Sequence, residues 1–418
     1  TADVYGKGRG NNITIDTKNL LVKDDSVISA ITFGEGDGGN FDVTAKSIEL
    51  TGNGSKSLFG SQVFAESGLI TSVGKDATGN GGDITINTEE LAVKDSAQIG
   101  SSTLGLGKGG NLSINAQSIE LVGNELNIPF PSGLYSSVGS GNSEMDSKAT
   151  GDGGDFTINT DKLIVRDGAA VFSGTFAAGN AGNLTVTAAE LIELVDETDN
   201  FPLRSGLYTN IGVAALSIGL EATGDGGNLT IETDKLIVRD GANVYTNTAA
   251  IGDGGDLNIT AKSIEVTGIS PDGRIPSNLS TGVDLEVANN PQLKPQAKGN
   301  GGNITIETDN LIVRDGAQIS ASSFSDGNAG DLSINAKSIE LSGTGRFFDG
   351  LIPSRLSTGT NPEDRGRSRK ATGDGGNLTI NTESLVVRDG AQVSASSFSR
   401  GKTGNINITA KDLILLQR

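Results

Sequence analysis

The feature that most constrains this chain is a motif that never stops recurring. A segment of the form Gly-x-Gly-Gly-[Asn/Asp]-apolar-x-apolar is repeated from one end to the other. Indexed by its Asn or Asp, it falls at Asn12, Asn40, Asp83, Asn111, Asp155, Asn183, Asn228, Asp256, Asn303, Asp331, Asn377 and Asn405. Successive gaps are 28, 43, 28, 44, 28, 45, 28, 47, 28, 46 and 28 residues. A constant short unit therefore alternates with a longer, variable one, and the pair makes a super-repeat of 71 to 75 residues. A repeat of this size is the signature of a solenoid, in which no unit buries its apolar face alone and stacking makes the core continuous.

Within a unit the apolar residues alternate. The clearest short unit runs from Asn303 to Phe324 and contains three alternating stretches, at 304–307, 311–314 and 317–322. Period two is the pattern of a strand with one buried face, and Gly, Asn and Asp punctuate the gaps. The long units begin alike and then insert loops on either side of a third strand. Those third strands are expected at 68–73, 133–138, 206–211, 278–283 and 355–360. The expected fold is all-β: a right-handed parallel β-helix of three strands per coil and about twelve coils, forming one continuous domain over residues 1–418. Strand spacing of roughly 4.8 Å makes this a rod on the order of 58 Å long.

Composition agrees. Aromatics are 4 % of residues and Trp, His and Cys are absent, so a narrow core of Leu, Ile, Val and Ala fits better than a large globular one. A long solenoid has ample buried area without disulfides. The net charge of −19 argues against nucleic acid and against an anionic membrane surface as partners. No run approaches the roughly 18 apolar residues that span a bilayer. No signal-peptide pattern stands at Thr1, and the chain stops within a repeat at Leu-Ile-Leu-Leu-Gln-Arg, so it reads as a segment of a longer protein.

The recurring positions invite several chemical readings. Thr14, Thr85, Thr157, Thr230, Thr305 and Thr379 form an outward column suited to ice or carbohydrate, but Asp42, Asn258 and Asn407 interrupt it and β-propensity explains it. The index Asn and Asp suggest a stacked ladder in which Asn bonds both neighbours and Asp is accepted only between donors. The turns resemble calcium-binding Gly-rich nonapeptides, with Asp37, Asp152, Asp225, Asp253 and Asp374 as ligands. Lys108 and Lys402 take that place in two units, which a calcium ligand would not permit, so a tight turn with Gly at positive φ is expected. No metal or cofactor is expected. Asn111, Asn183 and Asn228 stand in glycosylation sequons that the strand pattern generates by itself. Basic residues at Lys23, Lys94, Arg166, Arg239, Arg314 and Arg388, each followed by Asp, should lie diagonally across from Glu49, Glu120, Glu193, Glu265 and Glu340. This is expected to be a solvated ladder rather than a site.

The tandem Asn-Leu-x-Ile-x-Thr and Ser-Ile-x-Leu-x-Gly units, free of cysteine, resemble the filamentous-haemagglutinin-like exoproteins of two-partner secretion. The Leu-Ile-Val-Arg-Asp-Gly-Ala-Gln-Ile-Ser units are most similar to their cyanobacterial branch. The resemblance implies a secreted or cell-surface protein, export through an outer-membrane transporter, and roles in adhesion or surface fibres. The family's N-terminal secretion domain is not visible, since repeats start at once.

These readings set a structural and adhesive shaft, contacting other copies of itself or cell-surface and matrix components, against two rivals. One is a polysaccharide lyase or hydrolase on the same fold, which needs an unrepeated cluster of charges in a groove. Unrepeated charges are confined to the loops: Glu144, Asp146, Lys148, Arg274, Asp349, Arg355, Glu363, Asp364, Arg365, Arg367 and Arg369. No catalytic, cofactor or metal residue is assigned among them. The other rival is an end-to-end self-assembling filament, because stacked units expose strand edges at both ends. Contacts are expected on the loop-bearing side, which carries Pro129, Pro131, Pro202, Pro271, Pro276, Pro291, Pro295, Pro353, Pro362 and the aromatics Phe130, Phe201, Phe347 and Phe348.

Overall fold

The computed structural model of the protein describes all residues except 53–66, 124–131, 140–148, 199–203, 213–221, 284–296, 325, 349, 361–371, 399 and 418. Among the described residues there are strands, turns and no helix. Two sheets run the length of the molecule, one of 14 strands and one of 11, and their strands pair in parallel. The pairing follows the repeat, as when Leu229 lies beside Leu257 and Leu257 beside Ile304. The fold is thus all-β and solenoid-like.

The first two stretches of each unit are not separate strands in most of the molecule. In ten of the twelve units they form one continuous strand of 11 or 12 residues, for example Phe41–Thr51. The alternation slips by one residue inside it. Phe41, Val43 and Ala45 are buried, then Ile48 and Leu50. Two successive residues, Lys46 and Ser47, therefore escape the core, and the chain turns a corner within one strand, its register stepping over Lys46 from Ala45 to Ser47. In two units the strand does break, into Ile84–Asn87 with Glu90–Lys94 and Leu112–Asn115 with Ser118–Val122. The sheet forks there and rejoins, so that Phe41–Thr51, Phe156–Arg166 and these four short pieces form a closed circuit of six strands.

The third stretch makes the second sheet, in strands such as Gly68–Val73, Asn278–Val283 and Arg355–Thr360. The strand expected at 206–211 is shorter, Gly206–Tyr208, followed by an isolated bridge at Ile211. One core runs between the sheets, and Leu229, Ile231, Leu236 and Val238 are fully buried in it as the spacing predicts. Thr14 and the other five threonines of its column face outward and are exposed or half-exposed.

Second-sheet hydroxyls enter this core. Ser136, Ser173, Thr246, Thr281 and Thr358 donate to the carbonyls of Gly154, Gly182, Gly255, Gly302 and Gly376, the glycine just before each index residue. Those glycines are required for a reason other than positive φ. A Cβ on Gly255 would lie 2.0 Å from the carbonyl oxygen of Gly227 one unit below, and the same contact recurs along the column. Stacking distance, rather than turn geometry, demands glycine there.

Candidate functional site

The index column is a ladder, but not of the expected kind. The backbone N–H of each index residue donates to Oδ1 of the index residue one unit before. Eleven such bonds run unbroken from Asn12 to Asn405 at 2.6–3.1 Å. The main-chain donor was not expected, but side chains add to it. Nδ2 of Asn183, Asn303 and Asn377 donates to Oδ1 of Asp155, Asp256 and Asp331 at 3.2 Å, and each index Asp stands between two Asn, as expected.

A second ladder stands three residues earlier and absorbs the positions that look like calcium ligands. Oδ1 of Asp37 accepts from Asn80 N–H, that of Asp225 from Asp253, and that of Asp374 from Lys402, among nine such bonds of 2.6–3.2 Å. Lys402 fits because every residue brings an N–H. Lys108 likewise donates to Asn80 but offers no Oδ1 onward, and its Nζ lies 3.7 Å from the Asp152 carboxylate. Among the described residues no three His, Cys, Asp or Glu side chains stand close enough to hold a metal ion.

The basic column pairs as its spacing predicts. Lys23 reaches Glu49 at 3.6 Å, Arg239 reaches Glu193 at 3.4 Å, and Arg314 reaches Glu265 at 2.6 Å. Glu120 lies between Lys94 at 3.1 Å and Arg166 at 3.0 Å. Burial acts to raise its pKa, but hydrogen bonds from both cations outweigh that and hold it below the usual carboxylate range. The Asp after each base has a further role. Asp24, Asp95, Asp167, Asp240, Asp315 and Asp389 have φ of 53–58°, and the residue after each is also left-handed. With a 3.0–3.2 Å bond closing each turn, as from Ala242 N–H to Arg239 O, these are turns of type I′ sign. Asp-Gly is the residue pair that such a turn favours.

Long units lack this turn and insert their loops in its place. A buried serine ends each insert: Ser67, Ser132, Ser205, Ser277 and Ser354, none of them measurably exposed. Each Oγ accepts the N–H of the second turn residue of the short unit before it, at 2.7–3.1 Å. The serines fasten the inserts to the regular stack. Nothing in the sequence reading anticipated them, although a Ser precedes all five third strands of the long units.

The inserts also touch one another, and here the molecule departs from its repeat. Asp196 occupies the corner where Gly52, Gly123, Gly268 and Gly343 stand in the other long units. Arg204, in the same insert, points Nη2 at Asp272 Oδ2 across 68 residues of sequence, at 2.9 Å. Its Nη1 donates to Thr198 O at 2.7 Å and lies 3.7 Å from Asp196. Asp196 is fully buried, Arg204 is 3 % exposed and the Asp272 side chain 11 %. Burial raises the Asp196 pKa despite Arg204 beside it. Burial pushes Asp272 up too, but Ser270 and Arg204 bring it below its ordinary value. A second contact joins the next insert, where Phe348 N–H donates to Gly273 O at 2.9 Å. Phe348 sits at the tip of an antiparallel hairpin, Thr344–Phe347 with Gly350–Pro353, and is 60 % exposed at φ 50°. These inserts form a ridge fixed by a buried Asp–Arg–Asp cluster.

Beside the ridge runs an aromatic row. Tyr135, Phe172, Tyr208 and Tyr245 are register partners in four successive units, on the face of the second sheet away from the main core. Centroids lie 5.9–6.5 Å apart, and Phe176 stacks on Phe172 at 5.2 Å. Tyr208 donates its hydroxyl to Arg204 O at 2.7 Å, which ties the row to the cluster. Burial pushes the Tyr135 and Tyr208 hydroxyls well above their ordinary pKa.

Two of the unrepeated charges singled out in the sequence, Arg274 and Arg355, lie among the described residues. Arg274 lies at the exposed edge of the ridge, 3.7 Å from Asp272. Arg355 opens the strand Arg355–Thr360 and contacts Gln392 at 3.4 Å. Glu144, Asp146, Lys148, Asp349, Glu363, Asp364, Arg365, Arg367 and Arg369 lie outside the described residues, as do Phe130, Phe201, Pro129, Pro131, Pro202, Pro291, Pro295 and Pro362. Among the described residues, unrepeated charges do meet at Asp196, Arg204 and Asp272, whose groups are turned toward one another and away from solvent. No protein family, curated protein or solved structure matches the chain.

Proposed function

We propose that this chain is a non-catalytic shaft: a right-handed, three-sided parallel β-helix of twelve coils, secreted to the cell surface, whose insert ridge makes adhesive contacts. The observation that carries the reading is that charged and polar groups recur with the unit and are spent on holding units together. Even the unrepeated buried cluster spends its contacts internally, with Nη1 and Nη2 of Arg204 and the Asp196 carboxylate all bonded within the inserts. A filamentous-haemagglutinin-like exoprotein, exported by a two-partner transporter, fits this reading through the repeat motifs described above. A shaft holds its inserts at fixed spacing, and loops on a rigid scaffold are where recognition concentrates.

The test is adhesion. Replacing the insert at 344–353, which leaves the buried Asp196–Arg204–Asp272 cluster intact, with the Asp-Gly turn of a short unit should preserve the fold and weaken attachment to cells or matrix. Normal attachment by a folded, trimmed protein refutes the ridge as the contact surface. Turnover of any acidic or neutral polysaccharide refutes the non-catalytic reading.

The self-assembling reading keeps one observation in its favour. Ile406, Ile408, Ile414 and Leu416, at inward-facing positions of Ile406–Leu416, are 36–72 % exposed. Their pattern suits a further stacked unit, from this chain or a second copy. Light scattering that shows polymers of the purified chain supports the second copy, and a monomer at all concentrations removes it.

A further inference from the structure

Two columns of charge flank the half-strand after the corner, and their signs alternate with the type of unit. In the first column, six residues after the index, short units carry acid: Glu89, Asp161, Asp234, Asp309 and Glu383. Long units carry base there: Lys46, Lys262, Lys337 and Lys411. Neighbours pair across units, as Lys46 with Glu89 at 3.7 Å, Lys262 with Asp234 at 2.6 Å and Lys337 with Asp309 at 2.7 Å. Lys18, Gln117 and Ala189 depart from the pattern, and beside Ala189 the neighbouring Glu190 takes over, 3.0 Å from Lys162.

The second column has the opposite sign. Short units carry Lys or Arg and long units carry Glu, except the unit of Asn405, where Leu415 takes that place; Arg388 joins the pairs described above, 2.6 Å from Glu340. The base and the Glu also occupy different places along the strand. Lys23 lies directly beside Thr51 and Arg239 beside Thr267, so each base faces a neutral residue and reaches its Glu diagonally.

From this we infer that the two columns are a register code that lets short units stack only on long ones. A slip by one unit changes every contact at once. Short on short sets Arg directly beside Arg in one column and Asp beside Asp in the other. Long on long sets Glu beside Glu and Lys beside Lys. Exposed pairs contribute little to stability one at a time. Discrimination is a difference between paired and like-charged arrangements, and it accumulates along the stack. The apolar core cannot supply it, because Leu and Ile stand at the same inward positions in both unit types. Alternation also has a spatial purpose. Units stack at roughly 4.8 Å, whereas two packed layers of chain need about 10 Å. Inserts on every second unit have that room, and inserts on adjacent units would not.

Duplicating units tests the code without crowding the inserts. One variant repeats the single short unit 228–255 in tandem, placing Asp234 beside Asp234 and Arg239 beside Arg239. A second repeats it with Asp234→Ser and Arg239→Thr in the added copy. A third repeats the whole pair, 228–302, which keeps the alternation. At low salt the first should melt at least about 2 °C below the second, 1 M NaCl should close that gap, and the third should melt no lower than the parent. Equal melting of the first two at low salt, or a gap that salt leaves intact, overturns the inference.

Discussion

Replacing Asn12 by Asp should leave stability nearly unchanged, whereas Asn12→Ala should cost about 1 kcal/mol. The N–H of Asn40 needs only an Oδ1 beside it, and Asp retains one. Thermal melts of the two variants check this, and equal losses would mean that the amide nitrogen matters. The sequence makes the column plain, because Asn and Asp return at a fixed place. It does not make the donor plain, since a backbone N–H belongs to every residue but proline and leaves no mark in composition. Positive φ does occur at the first glycine of five turns, Gly179, Gly224, Gly252, Gly299 and Gly327, but the glycine before the index residue answers to close approach instead. Gly255 is flagged by its recurrence, but whether it serves φ or close approach depends on the Gly227 carbonyl in the next unit.

At the scale of elements, period two located the strands, and the short-unit turns were legible too. Arg-Asp-Gly-Ala carries the Asp-Gly signal of a type I′ turn, although its Asp is easily read as half of a charge pair. The corner within each long strand is subtler. Two polar residues in a row, such as Lys46-Ser47, look like a gap between strands, yet the strand continues through them and pairing resumes at Ser47. The insert ridge was not legible in its detail. Arg204 and Asp272 are separated by 68 residues and follow no period, so only stacking brings them together. Asp272→Ala should therefore destabilise the ridge by about 3 kcal/mol, because it leaves a buried guanidinium with a weaker counter-charge. Hydrogen exchange should quicken around 196–205 and 268–277 while the core strands stay protected. Unchanged exchange in those segments would show that the cluster fastens nothing.

At the scale of the whole molecule, the charge column ties stability to pH at Glu120. Glu120 has its pKa depressed, so its contribution is complete above the ordinary glutamate value and disappears as pH falls through the lower, folded value. Glu120→Gln should lower stability at pH 7 by about 0.5 kcal/mol, since the side chain is partly solvated and its pairing is screened. The deficit should vanish near pH 3 (about a unit below the ordinary glutamate pKa). A deficit that is the same at both pH values would assign the loss to packing instead of charge.

The index ladder has a consequence for how such a rod can meet another. All eleven of its bonds run the same way, from the main chain of a later unit to the side chain of an earlier one. The stack is therefore an arrow. Each index residue turns its Oδ1 toward later units and its N–H toward earlier ones, while the main-chain bonds beside it, such as Ile13 N–H to Asn40 O, run the other way. Two stacks meeting in opposite directions would confront like group with like in the index column. Only a head-to-tail continuation preserves the bonding, so any fibre that extends this stack inherits a single direction along its whole length.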